Sequence, residues 1–188
     1  MKIEKFREIM KRVYALNTEE ERDAFYKYAK KVPNNGVIVD IGTAGGGSAF
    51  AFTFGSKPSV KVYTIDPRKN ENFLSKHDEW QLKEKLIYLE KTSAEVAMEW
   101  KLPINLLFID GLHSFLGVTD DFNNFYPYMV DGGMVMFHDY YLYQNTVGVA
   151  VDNLEKEGFI RKVEIIDSLY DKHGDRLRVG LYIAKVKE

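Results

Sequence analysis

Residues 37–48 read Val37-Ile38-Val39-Asp40-Ile41-Gly42-Thr43-Ala44-Gly45-Gly46-Gly47-Ser48, an apolar run that breaks into a glycine-rich turn before a helix-forming stretch. Strand, tight turn and helix in that order are the setting in which a Gly-rich motif carries meaning. Glycine lets the chain turn sharply and a ligand approach bare backbone, while the first N–H groups of the helix stay unpaired. The next apolar run, 60–65, ends at Asp66, 24 residues after Gly42. A carboxylate there can accept both hydroxyls of a ribose, so a nucleoside-containing cofactor is implied.

Two cofactor classes compete for this loop. A nicotinamide or flavin dinucleotide needs glycine where backbone meets pyrophosphate, and Ala44 stands at that position. Asp40, just before the loop, opposes an anionic phosphate but favours the ammonium and sulfonium charges of S-adenosylmethionine. The balance falls to S-adenosylmethionine.

Outward from the loop, short apolar runs recur at 37–41, 60–65, 86–89, 104–109 and 134–137, each suited to a strand buried on both faces. Helical stretches separate them at 48–55, 73–85, 94–100 and 115–129, and a further helix is expected over 146–157. Alternation of this kind predicts a parallel sheet with right-handed crossovers. Two β-rich runs, 161–166 and 177–185, flank the turn-forming stretch Asp171-Lys172-His173-Gly174-Asp175 and predict an antiparallel hairpin at the end of the sheet. Before the loop, Ile3, Phe6, Met10, Val13 and Leu16 recur at helical spacing, and Thr18 with Glu21 has the spacing of a capping box that opens a second helix. These helices either pack on the sheet or form a lid over the adjoining site. One α/β domain is the expected organisation: a helical extension over 1–32 and a Rossmann-like core over 36–186.

The 188 residues are 45% hydrophobic and 29% charged, a globular composition that excludes disordered and collagen-like chains. Lys and Arg number 26 against 28 Asp and Glu, giving a net charge of -2 without the basic excess that phosphate-backbone binding needs. Nucleic acid is therefore not the expected partner. Cysteine is absent, which removes thiolate nucleophiles and Cys-ligated metals. No window approaches the ~20 apolar residues of a membrane span, and residues 1–13 lack a signal-peptide core, so a cytoplasmic location is expected.

The chain resembles the class I S-adenosylmethionine-dependent methyltransferases. Val39-Asp40-Ile41-Gly42-Thr43 with Gly46-Gly47-Ser48 is similar to their first motif, and Asp66 to their ribose-binding acid. Within that class it resembles the subfamily of macrolide and aminocoumarin sugar O-methyltransferases and cephalosporin-hydroxylase-like proteins. That likeness rests on Phe108-Ile109-Asp110-Gly111-Leu112-His113, Asp120-Asp121-Phe122, Gly132-Gly133-Met134-Val135-Met136-Phe137-His138-Asp139-Tyr140 and Gly148-Val149. The resemblance implies a three-layer fold with a seven-stranded sheet in the order 3-2-1-4-5-7-6, the last strand antiparallel. It also implies cofactor contacts from Asp40, Gly42, Thr43, Gly46, Ser48, Asp66 and Asp110, with Thr92 and Ser93 near the adenine. Ser93 has a second reading as a plain helix N-cap.

In that strand order Asp110 and His138-Asp139 close neighbouring strands, about 4.8 Å apart. Asp, His and Asp are a credible set for a divalent ion such as magnesium or manganese, and the resemblance places a metal that holds a substrate diol at these positions. A His–Asp pair hydrogen-bonded at the strand end is the alternative. Consecutive strand residues point to opposite faces, so His138 and Asp139 can reach one ion only if the strand has already ended. The resemblance makes His113 a general base, with Asp110 beside it. Capping of the following helix is its other reading. His77 and His173 fall in charged stretches expected to be exposed. Tyr140, Tyr141 and Tyr143 crowd the expected substrate entrance. The expected activity is methyl transfer to a hydroxyl of a sugar or other small molecule, against a non-catalytic cofactor-binding module or a nicotinamide-dependent oxidoreductase. A second subunit is a candidate source of pocket walls.

Overall fold

In the structure, a computed structural model that describes residues 1–172 and 174–187, the apolar runs become strands whose C-terminal ends lie level. The strands are β1 (Val37–Ile41), β2 (Lys61–Ile65), β3 (Leu86–Leu89), β4 (Ile104–Ile109), β5 (Met129–Phe137), β6 (Ile160–Ile166), β7 (Leu169–Lys172), β8 (Asp175–Arg178) and β9 (Leu181–Val186). Seven of them form one sheet in the order β3-β2-β1-β4-β5-β9-β6. Strands β3 to β5 in that order are mutually parallel, and β9 runs antiparallel to both neighbours. This is the expected 3-2-1-4-5-7-6 arrangement once the small β7–β8 ribbon is set aside.

Register decides where the site can form. Ile41 pairs with Ile65 and with Ile109, and Ile109 with Phe137. The ladder then runs one step further, with the N–H groups of Gly42, Asp110 and His138 donating to the carbonyls of Ile65, Ile41 and Ile109. Gly42, Asp66, Asp110 and His138 therefore stand side by side on one edge.

Along β1 and β4 successive residues enter opposite cores. Ile38 and Phe108 face α1 (Ile3–Met10), α2 (Glu19–Ala29), α3 (Gly47–Gly55) and α4 (Glu71–Glu79), whereas Val39 and Leu107 face α5 (Ser93–Glu99), α6 (Phe115–Phe125) and α7 (Val149–Lys156). Burial on both faces is why these runs are apolar without alternation. Phe25 of α2 packs edge-on to Phe108 at 4.9 Å and beside Phe52 of α3, so the N-terminal helices are part of the core.

Several boundaries depart from the sequence reading. The first helix ends at Met10; Val13 is buried but Leu16 is 52% exposed, because the chain there leaves helical geometry and crosses the glycine loop. The fourth ends at Glu79, short of residue 85, and Gln81 at φ 54 turns the chain into β3. The sixth stops at Phe125, and a 3-10 turn over Tyr126–Tyr128 follows where Pro127 cannot continue an α-helical ladder. The helix expected from 146 begins as a π-turn at Gln144–Gly148 before α7. The runs expected at 161–166 and 177–185 do pair antiparallel at the end of the sheet, as β6 and β9, but the second run starts later, at Leu181, because β7 and β8 form a separate two-stranded ribbon between them. His77, expected exposed, is 6% exposed, its Nε2 2.7 Å from the Leu86 carbonyl. His173 lies outside the described residues. No helix among the described residues is long and apolar enough to cross a membrane.

Candidate active site

A cleft of about 1000 Å³ opens over the level strand ends. At its β2 end the Asp66 carboxylate accepts the backbone N–H groups of Ala44 (3.1 Å) and Arg68 (2.8 Å), which ties the glycine loop to the second strand and fixes the carboxylate at the cleft wall. Gly42 must be glycine: its φ is +97°, and a Cβ would lie 2.1 Å from the Asp110 carbonyl oxygen.

Gly45 and Gly47 answer to a different neighbour. A Cβ on Gly45 would fall 2.2 Å from the Tyr14 carbonyl oxygen, and one on Gly47 2.3 Å from Asn17 Oδ1. Residues 14–17 form a strap laid directly on the loop, with Tyr14 and Leu16 lining the cleft.

Of the proposed cofactor residues, Gly42, Asp66, Thr92, Ser93 and Asp110 line the cleft, while Asp40, Thr43, Gly46 and Ser48 do not. Asp40 is fully buried beneath the loop, where Thr64 donates to its Oδ2 at 2.5 Å and Oδ1 has no partner among the described residues. Burial pushes its carboxyl up to about 7, so it is not the steady negative charge facing a ligand that the sequence reading assumed. Thr43 turns inward to Thr64 at 2.6 Å. The cap of α5 is Thr92, in a capping box with Glu95, and not Ser93. Ser93 instead donates to Asp121, a buried carboxyl that desolvation raises to about 6.

At the β4–β5 end three candidates converge. His113 Nε2 lies 3.3 Å from Asp110 Oδ1 and 3.4 Å from Asp139 Oδ2, and its ring stacks on Tyr143 at 4.5 Å. Its hydrogen bond to Asp110 raises the imidazole above its ordinary value. The cap of α6 is Ser114, so the capping role for His113 is excluded, and the Thr146 hydroxyl bonds the His113 carbonyl instead. The strand has indeed ended: Asp139 adopts φ 58, a left-handed backbone that turns its carboxylate back toward His138 and His113. Such a conformation in a non-glycine residue costs on the order of 1 kcal/mol or more and tends to occur where function demands it.

His138 takes a different part from the one expected. Its Nδ1 lies 3.3 Å from Asp110 and 3.2 Å from Asp139, in angles too bent for good hydrogen bonds, and its Nε2 lies 3.3 Å from Glu21 of α2. Burial opposes protonation, but the surrounding carboxylates hold this imidazole well above its ordinary value. Among the described residues, the donor atoms that lie within 4.8 Å of one another are those of Asp110, His113 and Asp139, so His113 stands in the candidate ligand set where His138 was expected.

A family model described as a methyltransferase domain matches residues 39–140, more than half of the chain. The chain belongs to that family. Solved structures share the methyltransferase's fold at low identity. A proposed O-methyltransferase from Klebsiella pneumoniae superposes with a TM-score of 0.77 at 12% identity, over 94% of this chain and 84% of that one. The O-methyltransferase TomG from Streptomyces achromogenes, solved in complex with SAM, gives 0.74 at 15% identity over 92% and 82%. A proposed caffeoyl-CoA O-methyltransferase from Staphylococcus aureus gives 0.71 at 18% over 99% and 92%. Among curated proteins, an uncharacterised protein, R132, of Acanthamoeba polyphaga mimivirus is 46% identical over 41 residues, which is 22% of this chain and 19% of that one.

Sequence reasoning missed Glu21, Tyr14 and Leu16 of the methyltransferase, and the ribbon residues Tyr170, Leu177 and Val179. The Thr18–Glu21 spacing did mark a capping box, which the structure shows, but the same Glu21 carboxylate also reaches the site. The apolar character of the strap and ribbon residues was the only signal for the others.

Proposed function

We propose that this methyltransferase uses S-adenosylmethionine to methylate a hydroxyl of a small molecule. The observation that carries the reading is that one cleft holds Asp66 at the end of β2 and the Asp110–His113–Asp139 cluster at the ends of β4 and β5.

In this reading Asp66 accepts the ribose hydroxyls, supported by its two backbone bonds, which leave lone pairs free on a carboxylate at the cleft wall. Thr92 and Ser93 border the neighbouring end of the cleft, where an adenine would lie. S-Adenosylmethionine, when bound, supplies the electrophilic methyl group. Methyl transfer from a sulfonium is a displacement, so the enzyme's share is alignment and removal of the acceptor proton. His113 is the proposed base. Asp110 orients its imidazole, and Tyr143 covers one ring face.

Two carboxylates and an imidazole also fit a divalent ion by donor chemistry and spacing. Asp110, His113 and Asp139 would hold it, His113 then serving as a ligand in place of the base, and it would supply Lewis-acid polarisation of the acceptor oxygen.

Calorimetric titration with S-adenosylhomocysteine tests the reading. Wild type should bind, and Asp66→Ala should lose up to two charge-assisted hydrogen bonds at about 1.5 to 3 kcal/mol each. Equal affinity in both proteins refutes this placement.

A further inference from the structure

The β7–β8 ribbon stands outside the main sheet, yet it lines the cleft. It is pinned at its base. Arg178 forms a two-pronged bond to Asp167 (2.9 and 2.6 Å) and stacks 3.7 Å above the Tyr141 ring. The Val179 N–H donates to the Ser168 carbonyl, and Gly180 lies so close to Tyr141 that a Cβ would meet its ring at 2.6 Å. These contacts fix the ribbon against the loop that follows β5, on the acceptor side of the Asp110–His113–Asp139 cluster.

The surface so formed has a definite chemistry. Leu142, Leu177 and Val179 offer only hydrocarbon, and Tyr143 and Tyr170 offer rings. The fixed charge here is negative, from Asp139 and Asp171. Among the described residues, the one guanidinium lining the cleft is Arg68, whose backbone bonds Asp66 at the opposite, β2 end. Two imidazoles, His113 and His138, stand here among the carboxylates of Glu21, Asp110, Asp139 and Asp171, so an anionic acceptor would face an excess of negative charge, and a sugar would set part of its hydroxyls against the hydrocarbon of Leu142, Leu177 and Val179, which cannot pair them. A flat hydrocarbon ring fits both constraints, and the stacked His113–Tyr143 pair shows that planar groups already layer at this wall.

We infer that the ribbon is the acceptor-recognition element and that it selects an uncharged aryl alcohol, the hydroxyl toward His113 and the ring against Leu177 and Tyr170. This rests on the methyl-transfer reading and narrows its substrate class.

The test uses the full-length protein saturated with S-adenosylhomocysteine and three calorimetric probes: 2-naphthol, 6-hydroxy-2-naphthoate and methyl glucopyranoside. 2-Naphthol should bind at least about tenfold more tightly than either of the others. Leu177→Asn and Tyr170→Ala, both on a solvent-facing ribbon, should each weaken it by about tenfold while leaving S-adenosylhomocysteine affinity and melting temperature unchanged. Equal or tighter binding of the carboxylate or the sugar, no binding of 2-naphthol, or ribbon variants with wild-type affinity would each overturn the inference alone. Failure of S-adenosylhomocysteine itself to bind overturns the methyl-transfer reading, and this inference with it.

Discussion

The Glu21 carboxylate lies 3.3 Å from Nε2 of His138 across 117 residues of sequence, and both side chains are buried. Burial pushes the Glu21 carboxyl up, but its contact with His138 outweighs this and holds it below the usual range. The pair bolts α2 to the end of β5. Removing one partner of a buried ion pair leaves the other uncompensated, so Glu21→Ala should cost about 3 to 5 kcal/mol in urea unfolding. The double variant with His138→Ala should cost less than the sum of the two single changes. Additive losses would show that the two do not interact.

Asp40 supplies a pH signature. Its folded value, about 7, lies above that of an unfolded aspartate near 3.9, so the folded state holds the proton more tightly. The contribution of Asp40 to stability should therefore fall as pH rises from 4 through 7, by a few kcal/mol at most. Asp40→Asn, which cannot ionise, should be less sensitive over that window and gain relative to wild type at pH 8. Unfolding free energies at pH 5 and pH 8 check this; parallel profiles for the two proteins contradict it.

Manganese should raise the melting temperature of wild type, since an ion that binds only the folded state stabilises it by mass action. Asp139→Asn and Asp110→Ala should abolish the shift and His113→Gln should reduce it, measured by scanning calorimetry with and without the ion. A full shift in Asp139→Asn would remove the left-handed carboxylate from the ligand set.

With an accepted substrate in hand, His113→Gln should lower kcat by about 10² to 10⁴ while S-adenosylhomocysteine affinity holds. Because Asp110 raises the imidazole, the wild-type rate should fall on the acid side from a point above pH 6.5, and the variant should lack that limb. A variant profile with the same limb would assign proton transfer elsewhere.

Gly45→Ala places a methyl group 2.2 Å from the Tyr14 carbonyl. The strap must lift, at about 1 to 3 kcal/mol of overpacking. Hydrogen exchange at residues 14–17 should quicken in this variant; unchanged exchange would mean that the loop yields instead.

The sheet was legible because burial on both faces forces continuous apolar runs, and the polar residue ending each run, such as Asp66 or Asp110, marks the edge where ligands gather. The site was legible only where its residues sit at those ends. Glu21 was hidden by a local role, since a capping-box glutamate needs no other reason to be there. Asp40 was misplaced because strand position gives a face but not whether a loop folds over it. That His113, in place of His138, groups with Asp110 and Asp139 was hidden because the φ of Asp139, which sets the direction of the chain after β5, leaves no trace in residue type.

The strap over the glycine loop alters what that motif records. Two of its glycines are shaped by the chain's own N-terminal segment, so the motif carries a memory of an intramolecular partner as well as of a ligand. A relative that has lost residues 14–17 is released from that constraint and is free to carry side chains at positions 45 and 47 without any change of cofactor. Drift at those positions would then report a missing strap, and a search keyed to every glycine would discard functional kin for a reason unrelated to their chemistry.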